Sequence, residues 1–229
     1  MKKRIKFLRY IKPFVVVKSA QTLDGKIATR YGKSKWITSA KTRAYARRLR
    51  SQFDAILVGI TTVQKDNPRL TAAGRKRIKK IIIDSKLRIS PRARLFRGAK
   101  PDGCYLVTTK AANKKKISMF QQRGICVLTA PTKGAQIDLR WAFKKLAEEG
   151  IQRILVEGGA HIVGSVLKQG LADQAHIYIA PKIMGDEMAL DSAVGLNITD
   201  INAAVQLKNI QIRKIGKDIF IKGDVLRNR

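Results

Sequence analysis

The sequence predicts an α/β protein built on a central, mixed but mainly parallel sheet flanked by helices, with an antiparallel hairpin at its C-terminal end. Three observations predict it. Apolar, β-branched segments alternate with helical periods along most of the 229 residues, the pattern of a sheet covered by helices. Several of those segments are apolar at every position, as strands buried on both faces are. The last stretch, "VQLKNIQIRKIGKDIFIKGDV", instead alternates apolar and polar residues on either side of Gly216-Lys217-Asp218, which reads as two antiparallel strands and their turn.

Taken in chain order, the first strand is expected over Phe14-Val15-Val16-Val17, ending near Lys18 and leading to a Leu23-Asp24-Gly25 turn. Ser39 can cap a helix that runs through Tyr45 and Leu49 toward Phe53, because its hydroxyl can accept from a free N–H of the first turn. Ala55–Val58 is the second strand; it stops at Gly59 and is followed by a short helix and the Asp66-Asn67-Pro68-Arg69 turn. Strands are then expected at Lys80–Ile83, Cys104–Val107 and Ile125–Leu128, with a helix from about Asn113 to Arg123 stopped by Gly124. Asp138 can cap a helix that turns Leu139, Ala142, Phe143 and Leu146 inward and stops at Gly150. Ile154–Val156 is a strand, a helix follows Gly159, and His176–Ile179 is the last strand before the hairpin.

Composition bounds the function. Residues 1–12 read as a basic N-terminal extension and 13–229 as a single domain, since no repeat, low-complexity tract or long linker interrupts them. The basic start Met1-Lys2-Lys3-Arg4 runs into Ile5-Lys6-Phe7-Leu8-Arg9, too charged for a signal-peptide core, and no apolar run reaches membrane-spanning length, so a cytoplasmic protein is expected. Cys104 and Cys126 sit in apolar stretches without ligand spacing and are expected to be reduced and structural. With only two histidines, His161 and His176, no metal site is expected. The net charge of +32 permits a nucleic-acid partner, but the basic residues are spread along the chain and aromatics make up only 6%. That distribution favours solvated surface charge over a nucleic-acid site.

Four segments have punctuation beyond what the sheet needs: "KSAQTLDGKIATRYGKSKWITS", "DAILVGITTVQKDNPRLT", "IIIDSKLRISPRARLF" and "VEGGAHIVGSVLKQGLADQ". In the last, a strand stops at an acid and two glycines and passes straight into a helix. Glycine lets backbone approach a ligand closely, and the free N–H groups of the next turn suit an anion such as phosphate. In the third, Ser85 follows a strand's carboxyl end beside Lys86 and Arg88, where ligands of open α/β sheets collect.

In order and spacing, "TLDGKIAT…GKSKWITS", "AILVGITTVQKDNPRLT", "IIIDSKLRISPRARLF" and "ILVEGGAHIVGSVLKQGLADQAHIYIAPKIMG" resemble the reductase domain of the riboflavin-biosynthesis deaminase/reductase, from about Pro13 onward. The resemblance implies a dihydrofolate-reductase-like fold and NADPH-dependent reduction of a small phosphoribosylaminopyrimidine, with hydride delivered to ribose C1′. It implies cofactor contacts at Ala20, Trp36, Thr62, Asp66 and Ser85, and along the turn and helix start Gly159, Ala160, His161, Ile162, Val163, Gly164 and Ser165. Substrate contacts are implied at Ser34, Arg50, Leu70 and Glu157. Glu157 and Lys18 are the candidate catalytic pair, orienting the open-chain sugar or relaying a proton to its ring oxygen; a structural ion pair is the alternative for Lys18. Family members commonly form homodimers, for which the edge of the C-terminal hairpin is the candidate surface.

Two departures stand out. An arginine usually follows "PRLT" closely in the family, whereas Ala73 holds that position and Arg75 comes two residues later: either Arg75 takes the substrate-contacting role through a longer loop, or contact with the substrate's phosphate is altered. His161 stands where small residues or proline are common. The His-x-Glu and Pro-Cys-x-x-Cys signature of the zinc deaminase is absent, so this chain is not expected to deaminate. Trp36 in "SKWITS" points to the deaminated uracil substrate. The alternatives are the undeaminated 2,5-diamino-6-ribosylamino-pyrimidinone phosphate, a related reductase with another substrate, and a basic nucleic-acid-binding protein that retained the fold.

Overall fold

In the computed structural model, residues 12–74, 77–97, 103–134 and 136–226 are described. The expected basic extension therefore lies outside the described residues except for Lys12, whose ammonium salt-bridges Asp173 at 2.6 Å.

The chain begins with strand Phe14–Thr22 (β1), then Lys26–Ala28 (β2), helix Ala40–Leu49 (α1), strand Ala55–Gly59 (β3), helix Ile60–Asp66 (α2) and strand Lys79–Ile83 (β4). Cys104–Thr108 (β5), helix Lys114–Gln122 (α3) and Cys126–Thr129 (β6) follow, then the short strands Thr132–Lys133 (β7) and Gln136–Ile137 (β8) and helix Leu139–Glu148 (α4). The last part comprises Arg153–Val156 (β9), helix Ala160–Lys168 (α5), Gln174–Ala180 (β10), Leu190–Asp191 (β11), Leu207–Ile215 (β12) and Asp218–Val225 (β13). Among the described residues nine strands form one sheet in the order β12-β13-β10-β1-β9-β3-β4-β5-β6. The run from β10 to β6 is parallel, and β13 pairs antiparallel with both β10 and β12. This is the mixed, mainly parallel sheet with an antiparallel end that the sequence predicts.

The central strands alternate between two cores. Val15 and Val17 of β1, Leu57 of β3 and Ile81 of β4 pack with Phe143 and Leu146 of α4 and Val163 and Val166 of α5. Val16, Ile56 and Ile82 point the other way, onto Leu49, Phe53, Val63 and Phe120. Each such side chain contributes roughly 1.5–3 kcal/mol on burial, so the sheet's register is fixed from both faces. The expected caps are present: Ser39 accepts from the Thr42 N–H, Asn113 from Lys116 and Asp138 from Trp141.

Two features differ from expectation. The first strand does not end near Lys18 but continues to Thr22, in parallel register with β10 from Val16↔Gln174 to Thr22↔Ala180. Its second half is polar because it borders a cleft instead of a core. The three-residue strand β2 and the two-residue strand β11 clip together through Leu190↔Ala28 and Asp191↔Lys26; segments this short have no periodicity to read. Below them Asp24 binds the returning chain, its carboxylate accepting from Thr22 Oγ1 at 2.5 Å and from the N–H groups of Met184 and Gly185.

Candidate active site

The parallel strands end along one side of a cleft of about 740 Å³. Its walls are the second half of β1, the β2–β11 clip, the turn from β3 into α2, the end of β4, the β9–α5 turn and the 188–194 loop. Ligands of open parallel sheets sit beyond the carboxyl ends of the strands.

At one end lies a compact charge cluster. Glu157 follows β9 directly, and its N–H donates to the Leu57 carbonyl of the neighbouring strand at 3.0 Å. Its side chain is only 7% exposed. Arg50, just past α1, grips it through two parallel bonds, Nε to Oε1 at 2.7 Å and Nη2 to Oε2 at 2.6 Å. The third arm of the guanidinium, Nη1, donates to the Thr71 carbonyl at 2.8 Å. Burial works to raise the Glu157 pKa, but hydrogen bonds and charge from Arg50, with Lys18 nearby, prevail and hold it below the ordinary carboxylate value. Glu157 is therefore a fixed anion near neutrality.

Lys18 presents its ammonium 5.6 Å above the ring of Tyr178, and no hydrogen-bond or salt-bridge acceptor lies in reach of it among the described residues. Burial lowers its pKa; the Glu157 charge pulls the other way and the Arg50 charge adds to the lowering. An amine poised this way gives up a proton more readily than a solvated lysine. Register explains the grouping: Lys18 and Ala20 lie on one face of β1 opposite His176 and Tyr178 of β10.

The other end is built from backbone and hydroxyls. Gly159 has φ +68° and turns the chain into α5, whose N-terminus has no side-chain cap. A Cβ on Gly158 would lie 3.0 Å from Val58 and 3.1 Å from the Thr62 hydroxyl, and one on Gly59 would lie 2.7 Å from Ile162. Three glycines thus bring β3, β9 and α5 together and leave unpaired helix N–H groups facing the cleft. Ser85 borders the same space at the head of a turn fixed by buried Asp84, whose Oδ2 accepts from the Ile89 N–H at 2.8 Å. A long slot with an uncapped helix start and hydroxyls from Thr62 and Ser85 fits a dinucleotide: α5 would meet its phosphates and the region near Lys18 its nicotinamide.

The cleft lining contains Lys18, Ala20, Ser34, Trp36, Thr62, Asp66, Ser85, Glu157, Gly159, Ala160, His161, Ile162, Val163 and Ser165. Three of the implied contacts lie outside that lining, and a fourth is not among the described residues. Arg50 sits behind Glu157; Leu70 is buried in the second core with φ +50°; and Arg75 is outside the described residues. Gly164 does not line the cleft; an added Cβ there would come within 1.8 Å of the carbonyl of Val194, which does. Trp36 is 62% exposed at the cleft mouth, with the Arg43 guanidinium stacked on it at 4.1 Å. Residues not anticipated from sequence are Tyr178 under Lys18, Thr71 behind Arg50 and the 188–194 wall. Only the register and the long-range pairing put them there. Among the described residues, no three His, Cys, Asp or Glu side chains are placed to hold a metal, and no helix is long and apolar enough to cross a membrane.

Comparison with known proteins supplies the lineage. Over 94% of its length the chain is 37% identical to "Riboflavin biosynthesis protein RibD" of Actinobacillus pleuropneumoniae, spanning 58% of that protein. It is 30% identical to the "2,5-diamino-6-ribosylamino-4(3H)-pyrimidinone 5′-phosphate reductase" of Methanothermobacter thermautotrophicus, covering 93% of this chain and 98% of that one. The structure of Acinetobacter baumannii RibD superposes with a TM-score of 0.80 at 21% identity, over 94% of this chain and 58% of that one, a likeness of fold in keeping with the dihydrofolate-reductase-like architecture. A family model, the RibD C-terminal domain, matches residues 13–221. The chain thus spans between 48% and 62% of the length of the curated RibD proteins it matches, and it belongs to the RibD C-terminal domain family.

Proposed function

We propose that this chain is an NADPH-dependent reductase of riboflavin biosynthesis that converts 5-amino-6-(5-phosphoribosylamino)uracil to its ribitylamino product. The observation that carries the reading is Glu157, locked by Arg50 beside the ammonium of Lys18, at the end of a cleft whose other half suits a dinucleotide. When bound, the nicotinamide supplies hydride to ribose C1′ as the C1′–O bond to the ring oxygen breaks, and that oxygen needs a proton. Lys18 is the group to deliver it, since its pKa is lowered while that of Glu157 is held down. Glu157 acts as a fixed acceptor for sugar hydroxyls and as the counter-charge that keeps Lys18 protonated. The polar ends of the cleft orient both reactants, the usual protein contribution to hydride transfer.

We assign the catalytic unit to residues 13–229 and place the protein in the cytoplasm. A homodimer is the proposed assembly: β12 is the sheet's edge strand, and Ile210 (55% exposed) and Ile212 (67%) leave it apolar and uncovered. Sedimentation of wild type against Ile212→Lys tests that, with a monomeric mutant as the expected result.

The reductase reading is tested by anaerobic NADPH oxidation with the deaminated and undeaminated phosphoribosylaminopyrimidines offered separately. Turnover of the uracil substrate is expected. Turnover of only the diamino compound would move this chain to the reaction in the name of its Methanothermobacter relative. Failure with both would overturn the reading.

A further inference from the structure

Beneath Lys18 lies a small aromatic core, separate from the two that hold the sheet. Tyr178 of β10 is fully buried. Phe220 of β13, its register partner, stacks on it with ring centroids 4.8 Å apart, and Tyr45 of α1 meets it edge-on at 6.4 Å. Ile215 completes the group, with Ala20 packed against it. The Tyr178 ring is thus fixed from two directions, and the Lys18 ammonium stands over it 5.6 Å from the centroid. In the parallel ladder Lys18 pairs with His176 and Ala20 with Tyr178, so the lysine is the tyrosine's diagonal neighbour on one face. The short side chain of Ala20 leaves the ring within its reach.

The hydroxyl does not account for a tyrosine in this place. It is buried with no hydrogen-bond partner among the described residues, a costly state for a polar group. It does not ionise either: burial first, then Tyr45 and the Glu157 charge, push its pKa up. The ring remains. Its π face is negative and attracts a cation held within about 6 Å. Burial is the strongest influence on Lys18 and disfavours its ammonium; Glu157 favours it and Arg50 opposes it. His176, directly across from Lys18, adds no charge near neutrality, since burial and then the Lys222 charge hold its pKa down to about 4. Tyr178 does not line the cleft, so any effect on a reactant passes through Lys18.

We propose that Tyr178 is a positioning residue whose ring face holds the Lys18 ammonium protonated and in place beside Glu157, without touching a reactant. The use of that proton rests on the reductase reading; the pairing of ring and ammonium does not. A second carboxylate in the ring's place would hold the proton too firmly for Lys18 to release it. The weaker attraction of a π face offsets part of the penalty of burial and leaves the proton transferable.

The test replaces Tyr178 by phenylalanine and by its mono-, di- and trifluorinated derivatives, which keep the ring's size while withdrawing charge from its face. The Lys18 titration is read by NMR of lysine-labelled protein, its signal identified by its loss in Lys18→Met, and the same series at Phe220 is the control. Tyr178→Phe should leave the Lys18 midpoint within about 0.3 pH unit of wild type, and the trifluorinated ring should lower it by about one pH unit. The Phe220 series should move it by less than about 0.3. In turnover, the alkaline limb of kcat should follow the midpoint downward while KM stays within about twofold. A midpoint that is constant across the series, or that the Phe220 series moves equally, overturns the proposal. A fall in Tyr178→Phe as large as in the trifluorinated protein gives the role to the hydroxyl and also overturns it, as does an alkaline limb that stays fixed while the midpoint moves. A midpoint that falls stepwise in a protein that reduces neither pyrimidine keeps the pairing and discards the reductase.

Discussion

The two ends of the cleft solve different problems by different means. At the Glu157 end three charged side chains, brought from β1, β9 and the end of α1, are buried against one another, and the chemistry lies in charge and proton affinity. At the Gly159 end the working parts are backbone turns, a helix start and two hydroxyls, and the chemistry lies in shape. The first end should respond to loss of a charge with little change in binding. The second should respond to loss of space with little change in the reacting groups.

The largest expected effect comes from removing the charge. Glu157→Gln should lower kcat by about 100-fold, in the range of a lost acid–base or electrostatic group, while the dissociation constant for NADPH stays within about threefold. Glutamine is chosen because stripping one partner from a buried pair costs about 3–5 kcal/mol of stability, and the amide keeps an acceptor for Arg50. The same variant has a pH signature. Lys18 must be protonated to act, so kcat falls on the alkaline side as it titrates. Removing the anion that favours its ammonium lowers its pKa further, so this alkaline limb should move to lower pH. A limb that stays in place would assign the proton to another group.

Filling space at the other end should invert the pattern. Gly159→Ala forces a side chain onto φ +68° and to within 3.3 Å of the Thr62 hydroxyl, a backbone strain of about 1–3 kcal/mol. NADPH affinity should fall about tenfold by fluorescence titration, and kcat at saturating cofactor should stay within about threefold. A large kcat loss there would mean that the two ends are not separable. Ser85→Ala sharpens the comparison with a smaller effect: if this corner holds the 2′-phosphate, affinity for NADPH should drop about fivefold, the worth of roughly 1 kcal/mol, and that for NADH should not change. The smallest effect concerns the wall between the ends. The Asp24 pKa is lowered from 3.8 to about 2, first by the Thr22 hydroxyl and then by the Gly185 and Met184 N–H groups. A depressed carboxylate stabilises the fold above its ordinary pKa and loses that contribution as pH falls toward the native value. Asp24→Asn should therefore melt a few degrees lower than wild type at pH 7, and the two curves should converge between pH 4 and 2.

The same contrast explains what the sequence reveals. Interior strands such as Ala55–Gly59 and Cys104–Thr108 are apolar at almost every position because both faces are covered, and they are readable on that ground alone. The glycine turn is readable too, since few reasons other than close backbone approach place two glycines between a strand and a helix. The polar half of β1 is not: Lys18, Ser19 and Gln21 look like a loop until a cleft is known to lie beside them. Arg50 and Glu157 are 107 residues apart, and their pairing depends on β9 lying beside β3, which local periodicity does not encode. Nor does anything around Tyr178 announce the lysine above it; that contact follows from the β1–β10 register.

The contact between Gly164 and the Val194 carbonyl joins two stretches of chain that can only change together. Residue 164 has no room for any side chain, and the Val194 N–H also donates to the Ala160 carbonyl at 3.3 Å, so helix and loop are stapled at two points one turn apart. The 188–194 loop is thereby part of the rigid frame and sets the width of the slot. A chimera that imports this loop from a relative must bring the matching α5 with it, and a single methyl at position 164 should widen the entrance at a distance from every residue that touches the reacting sugar.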